Sequence, residues 1–113
     1  MNERRVAPRF QPALGTLCRL DHLNRFGKPT VGLVWDISTS GVSMLLADPP
    51  KVGEVVAAEL VTESGGPAFR ISLKVVHVRA VPTGDYFLGA QFVRSLEAGE
   101  IARFLAPPPR PIN

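Results

Sequence analysis

Two short stretches hold the residues best suited to binding chemistry: Arg4-Arg5-Val6-Ala7-Pro8-Arg9 and, about thirty residues on, Asp36-Ile37-Ser38-Thr39-Ser40-Gly41. An arginine fork can grip phosphate through two bonds, meet the O6/N7 edge of guanine, or stack on a base. Pro8 drives Ala7 away from the helical region, so the leading stretch reads as extended. Arg5 and Arg9 then lie up to about 13 Å apart at roughly 3.3 Å per residue, against about 6 Å in a helix. That spacing suits two contact points on one medium-sized anion. In the second stretch Asp36 can accept from the N1–H and N2–H₂ of a guanine, and Ser38 can donate or accept. Gly41 can take positive φ at little cost and lets backbone approach a ligand. Each stretch also has a plain reading, the first as a solvated tail and the second as a hairpin turn.

Composition sets the frame. The chain has 113 residues, 45% hydrophobic and 20% charged, which fits one folded domain with one core. No apolar run approaches the roughly 20 residues that cross a bilayer. No apolar segment follows the first few residues, so no signal peptide is expected and the cytoplasm is the expected location. The net charge of +3 is modest, yet Arg4, Arg5, Arg9 and Arg19 crowd the first nineteen residues. A local anion site fits that better than a long phosphate-tracking stripe. Cys18, the only cysteine, lies beside Leu17 and Leu20 and reads as a core residue.

The elements that must position these residues are strands. Residues 1–12 form an arm, with 13–106 as the domain body and 107–113 as a Pro-rich tail. Strands are expected over 14–23, 30–35, 42–46, 54–63, 69–81 and 86–93, with Asp36 to Gly41 as a turn. In the first, Leu14, Thr16, Cys18 and Leu20 share a side. In the fifth, Phe69, Ile71, Leu73 and Val75 oppose Val76 and Val78. In the sixth, Tyr86, Leu88, Ala90 and Phe92 oppose Phe87, Gly89, Gln91 and Val93. Ser95 is the expected N-cap of a short helix with Ile101, Phe104 and Leu105 on its apolar face, and Gly99 weakens that helix. The fold class is all-β with a terminal helix, an antiparallel barrel or sandwich.

The chain resembles the PilZ domain, the bacterial receptor module for cyclic di-GMP. Arg5-Val6-Ala7-Pro8-Arg9 matches the family's Arg-x-x-x-Arg motif, and Asp36 to Gly41 matches its Asp/Asn-x-Ser/Ala-x-x-Gly motif. Val76-His77-Val78-Arg79 and Tyr86 to Phe92 resemble the fifth and sixth strands. The likeness covers residues 4 to 105. It implies a six-stranded antiparallel PilZ-type barrel with a C-terminal helix, and cyclic di-GMP as ligand with no cofactor or metal. It also implies a binding site of Arg4, Arg5, Arg9, Asp36, Ser38 and Gly41. By the same likeness Arg4, just ahead of the motif, leans toward an intercalated pair of ligands. The arm would close on the ligand and present a new surface to an unidentified effector protein. Tyr86 lies where many members carry an aromatic. Arg79 and Arg94 read as solvated charges at strand ends, with outer phosphate contacts as the alternative.

Three rival readings remain. An enzyme would need Asp36, Ser38 and His77 as a triad, but His77 between Val76 and Val78 reads as a strand-surface or packed histidine. His22 and His77 show no metal-ligand spacing. A small barrel binding single-stranded nucleic acid needs exposed aromatics, and Phe69, Phe87, Phe92 and Phe104 fall at positions that look packed. An adaptor of the same fold that does not bind the nucleotide is the third. Neither membrane nor nucleic acid is expected as a partner.

Overall fold

Alternating apolar residues make six segments into strands, and their pairing closes a barrel. The computed structural model describes residues 8–63 and 65–106. Its strands are β1 (Leu17–Leu23), β2 (Pro29–Ile37), β3 (Gly41–Leu46), β4 (Val55–Val61), β5 (Phe69–Ala80) and β6 (Tyr86–Phe92). They neighbour one another in the order β1-β2-β3-β6-β5-β4, all antiparallel. Two three-stranded meanders, β1-β2-β3 and β4-β5-β6, are joined along β3–β6 and β1–β4. Closure leaves no free sheet edge among the described residues.

The interior is filled by Leu20, Met44, Leu60, Leu73, Leu88 and their neighbours. Cys18 is fully buried among them, and burial pushes its thiol up to about 12, so it is a neutral packing group. After β6 the chain makes one helical turn, α1 (Ala98–Ile101), then a 3₁₀ turn over Ala102–Phe104. Leu96, Ile101 and Phe104 join the same core, and the Phe104 ring lies 6.3 Å from that of Phe69.

Several expectations are corrected. β1 begins at Leu17, and Leu14 is 91% exposed, because a turn at Leu14 and Gly15 precedes the strand. Asp36 is inside β2, not in the turn, which shrinks to Ser38, Thr39 and Ser40. The helix starts at Glu97 as N-cap, not Ser95. The reason is that Leu96 is buried and its N–H donates to the Thr39 carbonyl at 2.8 Å, which holds the chain extended until that point. The Glu97 N–H then bonds the Glu100 carboxylate at 2.8 Å. The end of the expected arm, from Phe10 to Pro12, and the Ala13 that follows it are held by main-chain pairing. Phe10 bridges Ile37, Pro12 bridges Leu105, and the Ala13 N–H donates to the Phe104 carbonyl at 2.8 Å.

Candidate functional site

Two irregularities decide where the outward side chains gather. The pairing of β2 with β3 slips between Val34 and Asp36, and that of β5 with β6 slips between Val75 and His77. A bulge adds one residue to a strand, so two in succession can face the same way. Trp35 and Asp36 therefore both turn away from the core, as do Val76 and His77. The second slip overturns the expectation that Val76 and Val78 share a face: Val76 is exposed and Val78 packs against the core.

Register then sets four residues in one row across the barrel wall. Asp36 lies opposite Ser43, Ser43 opposite Gly89, and Gly89 opposite His77. The row runs along a cleft of about 600 Å³ that Arg9, Ser40, Phe87, Gln91 and Ser95 also line. That volume suits a small-molecule ligand.

Arg9 reaches the cleft because of its neighbour. The Phe10 N–H donates to the Ile37 carbonyl at 2.8 Å, and the Ile37 N–H returns a bond to the Phe10 carbonyl at 3.1 Å. This clamp sets Arg9 beside Asp36, with Nη1 to Oδ1 at 2.8 Å. The Ser43 hydroxyl donates to the same Oδ1 at 2.7 Å. The Arg9 side chain is 57% exposed and that of Asp36 29%. An ion pair this wet contributes only about 0–1 kcal/mol, so a ligand with better partners for both groups can part them.

Ser38 is placed differently. Its side chain is buried, and its Oγ accepts from the Ser40 N–H at 3.1 Å and the Gly41 N–H at 3.2 Å. It braces the turn from within, while Thr39, Ser40 and Gly41 line the cleft. The turn is fastened to the end of β6 by Phe92 N–H to the Ser40 carbonyl, and to the segment that follows by Leu96 N–H to the Thr39 carbonyl, each 2.8 Å. Gly41 does not have positive φ. A Cβ there would collide with the Ala90 carbonyl oxygen, so glycine is needed for the close approach of β3 to β6.

Arg4 and Arg5 lie outside the described residues. Arg94 bonds the Glu100 carboxylate at 3.2 and 3.3 Å, holding that carboxyl below its usual range. The Arg79 guanidinium carbon lies 5.0 Å from the centroid of the Phe87 ring. Tyr86 lines another groove, with Arg25 and Asp48. Ser43, His77, Phe87 and Gly89 are among the lining residues that the sequence reading misses. Ser43 is a lone hydroxyl in an apolar strand, and Gly89 a glycine within one, which often marks a close approach. Phe87 lines the cleft and is only partly buried, against the expectation that it is packed. Among the described residues no helix is long and apolar enough to cross a membrane.

A family model described as the PilZ domain matches residues 3–106. No curated protein matches the chain. Among solved structures, the PilZ domain with c-di-GMP of YcgR from Escherichia coli is similar with a TM-score of 0.63 and 19% identity, over 88% of this chain and 86% of that one. The K. pneumonia MrkH–c-di-GMP complex gives 0.62 and 22%, over 90% of this chain and 48% of that one. The Bacillus subtilis inhibitor of motility (MotI/DgrA) gives 0.61 and 15%, over 91% and 49%. The chain thus spans about half the length of the last two. At these identities the likeness is one of fold, and it is the same barrel.

Proposed function

This chain belongs to the PilZ domain family, and on that premise we propose that it is a cytoplasmic receptor domain for cyclic di-GMP that relays the occupancy of its cleft to a partner protein. One observation carries the reading. Arg9 and Asp36, the anchor residues of two motifs 27 positions apart, meet at 2.8 Å on the edge of a ligand-sized cleft. Both matched structures from Escherichia coli and K. pneumonia hold c-di-GMP.

The chemistry follows from what each group can exchange. Arg9 trades the Asp36 carboxylate for a phosphate or the O6/N7 edge of a guanine. Asp36, released, accepts from guanine N1–H and N2–H₂, and Ser43 keeps its carboxylate aimed. Ser38 acts through the turn, holding Thr39, Ser40 and Gly41 at the cleft. Arg5, and Arg4 ahead of it, approach from the arm, where Arg4 favours an intercalated ligand pair. The Phe10–Ile37 clamp is the fixed point about which the preceding residues close. The closed arm creates the surface that the partner reads. The role is binding, not catalysis.

Calorimetry with cyclic di-GMP tests this. Binding is expected, and Arg5→Ala, Arg9→Ala and Asp36→Ala should each weaken it at least about tenfold, since a charged hydrogen bond is worth about 1.5–3 kcal/mol. Single-stranded DNA competing equally well would favour the nucleic-acid reading. No binding of either, with a partner that co-purifies, would favour an adaptor that does not bind the nucleotide.

A further inference from the structure

One wall of the cleft has no part in the exchange just described. His77 stands exposed on the β5 bulge, and its imidazole stacks on Phe87 with ring centroids 6.0 Å apart and planes at 26°. Both rings line the cleft. Phe87 is in turn covered by the Arg79 guanidinium. Gly89 lies opposite His77, and a Cβ there would collide with imidazole Cε1 and come within 2.9 Å of Nδ1. The missing side chain at 89 is what lets the ring come down onto the sheet. So an exposed ring is held from the side by an aromatic and from below by main chain.

That arrangement is a stacking platform. The row from Asp36 to His77 crosses three strand spacings, about 14 Å at roughly 4.8 Å each. The carboxylate and the imidazole must therefore touch different parts of one ligand. We propose that a guanine base of the bound nucleotide stacks on His77, which makes His77 a specificity-determining residue for purine over pyrimidine cyclic dinucleotides. The inference rests on the cyclic di-GMP reading and deepens it. A purine offers a larger π-face than a pyrimidine, and stacking on an aromatic ring rewards that difference.

The test is calorimetry of the wild type, His77→Ala and His77→Phe with cyclic di-GMP and with cyclic di-UMP. Removing a base-stacking ring should weaken cyclic di-GMP binding about five- to a hundredfold. The His77→Phe variant should stay within about threefold of wild type, because the ring face remains. The preference for cyclic di-GMP over cyclic di-UMP should shrink in His77→Ala. The melting midpoint without ligand should fall only slightly, since the side chain is exposed and loses little beyond its contact with Phe87. Gly89→Ala should weaken binding by displacing the imidazole. The proposal is overturned if His77→Ala binds like wild type, or if His77→Phe loses as much as His77→Ala. In either case wild-type binding leaves the receptor reading standing. A wild type that ignores cyclic di-GMP removes that reading and this inference together.

Discussion

The barrel has a regular side and an irregular one. Around β4 the register with β1 and with β5 runs without a slip. Val56, Ala58 and Leu60 point inward in strict alternation, and outward Glu59 is bonded by Arg19 at 3.1 Å and Arg70 at 3.5 Å. Across β2, β3, β6 and β5 the alternation breaks twice, at Trp35-Asp36 and at Val76-His77. Each break turns an extra residue outward, and Asp36 and His77 then share one cleft. Where the pleat is regular, outward residues meet water or pair with one another across strands. Where it is broken, they are aimed. A third slip, between β1 and β2 from Leu20 to Leu23, lines no part of the cleft; the two breaks at the cleft are where local pattern is given up for function.

If that division is real, damage to the regular side should cost stability and spare binding. The largest effect is expected for Leu60→Ala. Leu60 is fully buried on β4, and truncating such a leucine costs about 2–5 kcal/mol. Urea unfolding should show that loss, while calorimetry on the folded variant finds cyclic di-GMP affinity unchanged. A fall in affinity comparable to that of Arg9→Ala would mean that the two sides are not separate.

A smaller effect is expected at the seam. Ser38→Ala removes a buried hydroxyl that accepts from two backbone N–H groups of the turn, at about 1–3 kcal/mol. Stability should fall by that amount, and affinity should fall less than in Asp36→Ala, because Ser38 reaches the ligand only through Thr39, Ser40 and Gly41. Equal affinity losses in the two variants would instead assign the Ser38 hydroxyl a direct contact.

The division also explains what could be read from the residues alone. The regular strands were legible because side-chain direction follows from counting by two. Arg9, Asp36 and Gly41 were legible as motif residues, and each lines the cleft. The bulges were not. Val34-Trp35-Asp36-Ile37 and Val75-Val76-His77-Val78 alternate acceptably in either register, and β-branched residues suit both faces of a strand. Only pairing with the neighbouring strand decides, and that is a long-range contact. The late start of the helix has the same origin, a bond from Leu96 to a turn almost sixty residues earlier.

The smallest expected effect lies away from both sides, where the loop between β1 and β2 meets the segment after β3. The Arg25 guanidinium donates to Asp48 Oδ1 at 2.8 and 3.2 Å, and the Arg25 N–H donates to Oδ2 at 3.2 Å. The side-chain bond first, and the backbone bond second, hold this carboxyl below its ordinary value of 3.8. A lowered folded-state value means that the stabilisation is present above the unfolded value and is lost as pH falls through it and below. Asp48→Asn should therefore lower the urea midpoint slightly at pH 7 and flatten its decline between about pH 5 and 3. Glu100, held low by Arg94, keeps part of that decline in place. Cyclic di-GMP affinity at pH 7 should be untouched, since Asp48 faces the groove of Arg25 and Tyr86 and not the cleft. An affinity loss in Asp48→Asn would extend the functional region along β3 and β6 to their far ends, and the contrast between the two sides would no longer describe the barrel.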